Sequence, residues 1–221
     1  MTKLLNENIE NQIREVFTGL KQPVHIIFFG TQENCDYCSD TLQLAGEVAA
    51  LSDLLSLEQH DLQADTDLAA QYHVDKTPAL IIAAKDGETV TDYGVRLLGI
   101  PSGHEFTSLI QDILLVSGRD SGLTPAAREF LKTINQPVHL QVFVTPTCPY
   151  CPRAVVLAHM MAIENPMVQA EMIEAMEFPA LANRHQVSGV PHTVINGGAG
   201  NVVGAVPETS LLHAIGQALQ R

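Results

Sequence analysis

The chain has 221 residues, 46% of them hydrophobic and 17% charged, which excludes a disordered polypeptide and leaves room for one large domain or two compact ones. Its formal net charge of −13 disfavours nucleic acid and anionic lipid as partners, and no apolar run approaches the ~20 residues of a membrane span. The opening MTKLLNENIENQIREVF lacks the apolar core and cleavage site of a secretion signal, so a cytoplasmic location is expected.

The first predicted element is an amphipathic helix with Leu5, Ile9, Ile13, Val16 and Phe17 near helical spacing. Residues 22–38 follow as QPVHIIFFGTQENCDYC. Their apolar run over 24–29 predicts a strand buried on both faces, leading to the pair Cys35 and Cys38. LQLAGEVAALSDLL, just beyond, reads as a helix packed on a sheet. YHVDKTPALIIA then brings Pro78 to the head of an apolar strand. KDGETVTDYGVRLLG is a glycine-bearing hairpin segment, and GIPSGHEFTSLIQDIL is a turn entering an amphipathic helix. The polar, glycine-containing SGRDSGLT (117–124) marks a boundary, dividing the chain into units 1–118 and 119–221. Thr124 and Pro125 start a helix over 125–135, with Thr as N-cap and Pro at the first helical position.

The elements then recur. Residues 136–151 read QPVHLQVFVTPTCPYC, again QPVH, an apolar strand and a C-x-Y-C pair, here Cys148 and Cys151. AVVLAHMMAI is the helix after the cysteines, and HQVSGVPHTVIN brings Pro191 into an apolar strand. Cys35 and Pro78 are 43 residues apart, and so are Cys148 and Pro191. NGGAGNVVG and GAVPETSLLHAIGQAL complete the match, so the chain is a tandem duplication. Each half reads helix, strand, C-x-x-C, helix, strand, helix, proline-led strand, strand, helix. That order predicts an α/β fold of two tandem units, each a central mixed sheet flanked by helices.

All four cysteines lie in the two C-x-x-C pairs. A metal, a structural crosslink and redox chemistry all use such pairs. Zinc fits poorly, because the pairs stand 109 residues apart against the ~15–20 usual for a shared site, so no metal is expected. Structural disulfides are rare in a reducing compartment. Redox chemistry explains the spacing. A helix starting at the first cysteine would place its sulfur at a terminus whose free N–H groups favour a thiolate. The second sulfur, one turn on along the same face, would be the more buried and would resolve a mixed disulfide.

CPYC resembles the active site of glutaredoxins, and the strand–CxxC–helix order with its proline-led strand resembles the thioredoxin fold. Two such units in about 220 residues resemble the protein disulfide oxidoreductases, the glutaredoxin-like two-domain proteins, over nearly the whole chain. The resemblance implies dithiol–disulfide exchange on disulfide-containing protein substrates, with Cys35 and Cys148 attacking and Cys38 and Cys151 resolving. It implies that Pro78 and Pro191 are cis, and that the backbones of Thr77 and Val190 hold substrate as an added strand. Tyr37, Tyr150 and Pro149 would shape the substrate surface. No cofactor is expected beyond the cysteines, and the resemblance implies electrons from a flavoprotein donor of the thioredoxin-reductase type. The N-terminal segment of alkyl hydroperoxide reductase's flavoprotein component is a similar tandem. This sequence has no G-x-G-x-x-G, no Trp, no Asp in the strand before Cys35, and Val190 where glutaredoxins place threonine, so a dedicated glutathione site is not expected.

The two pairs differ in charge. Asp36 and Glu33 flank Cys35 and disfavour its thiolate, whereas Pro149 is neutral and Arg153 favours that of Cys148. The main site is therefore expected at Cys148/Cys151, with Cys35/Cys38 as relay, tuner or structural pair. The alternative is a redox-sensing or partner-binding module that forms its disulfides stoichiometrically and does not turn over.

Overall fold

The structure, a computed structural model, describes residues 3–220. Helix α1 (Glu7–Phe17) is capped by the Asn6 side chain, which accepts the Ile9 N–H at 3.0 Å. Ile13 and Phe17 are buried, but Val16 is 44% exposed, contrary to the sequence expectation. The buried stripe steps by four along Leu5, Ile9, Ile13 and Phe17, and Val16 falls beside it.

Strand β1 (Val24–Gly30) is buried at all seven positions. It lies between β2 (Leu55–Asp61), parallel, and β3 (Ala79–Asp86), antiparallel. Helices α2 (Cys38–Ala49) and α3 (Thr66–Gln71) connect these strands. Strands β4 (Thr89–Thr91) and β5 (Val95–Leu98) both pair with β3, and α4 (Glu105–Gly118) closes the first half. After α4, Arg119 adopts a left-handed conformation (φ 53). Helix α5 (Pro125–Lys132) starts with Thr124 Oγ1 accepting the Ala127 N–H at 3.3 Å, a cap worth ~1 kcal/mol.

The second half repeats the first: β6 (Val138–Val144), α6 (Cys151–Glu164), β7 (Val168–Glu174), α7 (Pro179–Arg184), β8 (His192–Ile195), β9 (Gly200–Val203) and α8 (Glu208–Ala218). The duplication reaches single backbone positions. His73 and Gln186 are both left-handed (φ 53 and 54), and each follows a short helix in the same place. The Gly99 N–H donates to the Pro78 carbonyl at 2.9 Å, and the Gly204 N–H to the Pro191 carbonyl at 2.8 Å.

The two halves do not keep separate sheets. Strand β5 pairs in parallel with β7, from Val95↔Ala170 to Leu98↔Ile173. Among the described residues one nine-stranded mixed sheet results, in the order β2-β1-β3-β5-β7-β6-β8-β9, with β4 beside β3. All four residues of β5 are buried, and unpaired it would present an apolar edge. A polar network reinforces the seam. Arg96 of β5, 1% exposed, forks onto Asp92 and donates to the Tyr72 carbonyl at 2.9 Å. Across α4 and α6, Asp112 Oδ2 and His159 Nδ1 meet at 2.9 Å, both side chains fully buried. His159 Nε2 lies 3.1 Å from the Arg96 carbonyl, which can only accept, so Nε2 carries hydrogen. A proton between Nδ1 and Oδ2 then serves that contact in either ionisation state, while Asp112 Oδ1 has no partner among the described residues. No helix among the described residues is long and apolar enough to cross a membrane.

Candidate active site

Each C-x-x-C pair is joined within itself as a disulfide, with Cα atoms 5.4 Å apart for Cys35–Cys38 and 5.5 Å for Cys148–Cys151. The helices begin at the second cysteine of each pair, not at the first. Tyr37 and Tyr150 take the N-cap positions, so Cys35 and Cys148 sit in the turn ahead of the helix. In the second motif Pro152 lies in the first turn of α6, where a missing N–H costs nothing. The Cys148 N–H reaches the Thr145 carbonyl at 3.1 Å, and in the first motif it is the Cys38 N–H that closes the turn, onto Cys35 at 3.5 Å. The dipole argument thus favours the attacking sulfur from one turn away, more weakly than the sequence reading assumed.

Accessibility also departs from expectation. Cys35 is half-buried and Cys38 is 8% exposed, as an attacking and a resolving sulfur should rank. Cys148 is only 8% exposed and Cys151 not at all, because both pack into the main core. Gly30 ends β1 directly against the first pair, and a Cβ there would lie 3.3 Å from the Cys38 sulfur.

The Thr77–Pro78 and Val190–Pro191 peptides are both cis. Pro78 and Pro191 are buried at the heads of β3 and β8, and Thr77 and Val190 are half-buried. Tyr37 and Tyr150 are 45% and 65% exposed, and Pro149 is exposed. In the first half the structure gathers Cys35, Tyr37, Thr77 and Pro78 around one cavity of about 400 Å³, together with Asn34 and Asp36. Met176, Glu177 and Pro179 supply the rest of its wall, all from the second half of the chain. A smaller cavity of about 160 Å³ continues from Tyr37, Met176 and Glu177 to Ile100, Ser102, Glu174 and Pro146. Pro146 stands two residues before Cys148, so the same acidic segment lies between the two motifs.

Three carboxyls here escaped the sequence reading. Glu105, at the start of α4, is 1% exposed. The preceding N–H, that of His104, donates to the Pro146 carbonyl at 2.9 Å, which ties this turn to the loop carrying Cys148. Glu105 Oε2 accepts from the Ser108 hydroxyl at 2.6 Å, while Oε1 has no partner. Burial pushes its carboxyl up to about 7, with Asp112 adding and Ser108 opposing. Glu177 Oε1 accepts the Ile100 N–H at 2.7 Å. Burial and, in the same direction, Glu174 push Glu177 up to about 7 against that hydrogen bond. Burial also raises Glu174, whose Oε2 accepts the Glu177 N–H at 2.6 Å and whose Oε1 is unpartnered. In sequence these residues read as a helix-start acid and as members of VQAEMIEAMEF. Only the β5–β7 seam and the α4 packing reveal what surrounds them.

Comparison with known proteins follows the same lines. Residues 138–217 match the family model described as a thioredoxin domain. The crystal structure of a protein disulfide oxidoreductase from Aeropyrum pernix superimposes with a TM-score of 0.89 and 32% identity, covering 99% of this chain and 97% of that one. An NADH dehydrogenase of Bacillus subtilis is 28% identical over 194 residues, 88% of this chain and 35% of the relative. An alkyl hydroperoxide reductase component of Pseudomonas aeruginosa is 26% identical over 194 residues, 88% of this chain and 34% of the relative. The chain thus spans about a third of the length of these curated relatives. With near-complete mutual coverage at 32% identity, a tandem of two thioredoxin-like units and a C-x-x-C disulfide in each, the chain belongs to the protein disulfide oxidoreductases.

Proposed function

We propose that the chain catalyses dithiol–disulfide exchange on protein cystines, with Cys148/Cys151 as the main site and Cys35/Cys38 as its relay. The attacking thiolate forms a mixed disulfide with substrate, and the resolving cysteine then displaces the reduced product. The substrate backbone lies along Thr77 or Val190 beside the cis proline, with Tyr37 or Tyr150 and Pro149 as flanking surface. No metal or organic cofactor takes part, because the dithiols carry the electrons. A flavoprotein of the thioredoxin-reductase type resupplies them.

The observation that carries the order of the two sites is the acidic wall around Cys35. Asp36 lines its cavity, and Glu33 stands two residues before Cys35. Each disfavours a Cys35 thiolate. The CPYC turn carries no carboxylate, and Arg153 follows in the first turn of α6. The test is insulin reduction with dithiothreitol, comparing the natural chain with Cys35→Ser and Cys148→Ser. Loss only in Cys148→Ser supports the proposed order, and loss in both supports an obligatory relay. Activity no higher than dithiothreitol alone in the natural chain would overturn a general reductase role.

A further inference from the structure

The cavity at Cys35 is composite. One wall belongs to the first half, namely Asn34, Cys35, Asp36, Tyr37 and the cis pair Thr77–Pro78. The opposite wall is the Met176–Pro179 segment that follows β7. Glu177 is fixed there by a short chain of contacts. Its Oε1 holds the Ile100 N–H at 2.7 Å, and the preceding Gly99 N–H holds the Pro78 carbonyl at 2.9 Å. A Cβ on Gly99 would approach Glu177 Oε1 to 2.8 Å and Glu174 Cβ to 2.7 Å, so only glycine, here at φ 89, admits the Glu177 carboxyl and the Glu174 side chain this close. No partner holds Glu177 Oε2 among the described residues. Thus a half-buried carboxyl from one unit is tied, through two backbone hydrogen bonds, to the cis proline beside the attacking sulfur of the other.

We propose that Glu177 is a general acid for the first cysteine pair, protonating the thiolate that leaves the substrate disulfide. The proposal rests on the exchange chemistry assigned above. The Cys35 thiolate attacks one substrate sulfur, so the Cys35–substrate S–S bond forms and the substrate S–S bond breaks. The departing sulfur takes the proton of the Glu177 carboxyl, which is restored from solvent. Cys38 then loses its thiol proton to water, attacks Cys35 and releases the remaining substrate thiolate. The substrate disulfide gains two electrons and the Cys35/Cys38 dithiol loses two. The groups facing Glu177 are Glu174 of β7, Asp36 of the first motif, the paired Asp75 and Lys76 ahead of β3, and Arg184 of α7. A carboxyl raised to about 7 among them is protonated in a large fraction of molecules near neutral pH, as a general acid requires.

The test uses the full chain with Cys148→Ser and Cys151→Ser, so that only the first pair reacts, with and without Glu177→Gln. Glutamine keeps an oxygen for the Ile100 N–H. The reduced protein is mixed rapidly with two uncharged disulfides. Dipyridyl disulfide expels a weakly basic thiolate that needs no proton, whereas hydroxyethyl disulfide expels a strongly basic one that does. Glu177→Gln is expected to slow hydroxyethyl disulfide by about tenfold or more near pH 7, within the reach of a positioned general acid, while dipyridyl disulfide changes less than about twofold. The ratio of the two rates should fall above pH 7 in the parent and stay flat in the variant. Equal effects on both disulfides, or none on either, would overturn the proposal. So would failure of the first pair to react with either, although insulin reduction by the natural chain would then still uphold the exchange activity.

Discussion

Replacing Glu105 with glutamine should remove most of one specific pH dependence of stability. The Glu105 carboxyl is raised from its ordinary 4.5 to about 7, chiefly by burial. Between those values the folded state keeps a proton that the unfolded chain releases. Stability therefore falls as pH rises through that window, and the loss is complete above about 7. At ~1.4 kcal/mol per pH unit, the gap from 4.5 to about 7 corresponds to about 3 kcal/mol. Urea unfolding at about pH 4 and pH 8, with both disulfides intact, measures it in the natural chain and in Glu105→Gln. Between pH 4 and pH 8 the variant should gain about 3 kcal/mol of stability relative to the natural chain. Any packing cost of glutamine appears at both pH values and cancels. So does the contribution of Glu177, which titrates in the same range in both proteins. A difference between the two proteins of less than about 1 kcal/mol would refute the assignment of a protonated, buried Glu105.

Removing either partner of the buried Asp112–His159 pair should cost about 3–5 kcal/mol in urea unfolding, because the other is left uncompensated inside the seam. Gly103→Ala should destabilise the chain by at least ~2 kcal/mol and lower insulin reduction through Cys148, since Gly103 is left-handed (φ 59) and a Cβ would fall 2.3 Å from the Pro146 carbonyl oxygen. Its near-normal stability would mean that the loop before Cys148 yields freely. Thr124→Ala removes the cap of α5 and should lower stability by about 1 kcal/mol without changing exchange rates at either cysteine pair.

Much of the molecule was legible because local chemistry and duplication pointed the same way. The apolar run at 24–29, the Thr124–Pro125 helix start and the cysteine–proline spacing are each local patterns, and each recurs or occupies its predicted element. The four cysteines read as redox pairs because a two-residue separation means the same thing wherever it sits on a strand-to-helix turn. The point at which each helix begins was less legible. Two residues separate the first cysteine from the helix, and Pro149 and Pro152 fit either register. Val16 falls outside the buried face for a similar reason, since the apolar spacing marks a stripe wider than the face the core covers.

By itself the sequence determined the repeated α/β order, the two dithiols and the proline placed behind each, because these depend on neighbours within one unit. Only the tertiary structure decided how the units meet. Nothing in VRLL or VQAEMIE says that β5 and β7 pair in parallel, yet that register brings Glu177 across to the cavity of Cys35 and Glu174 to the smaller cavity beside it. The same seam buries Asp112 against His159 and leaves Glu105 without solvent. The charge state of those acids follows from desolvation by residues far away in the chain, and desolvation is a property of the packed whole.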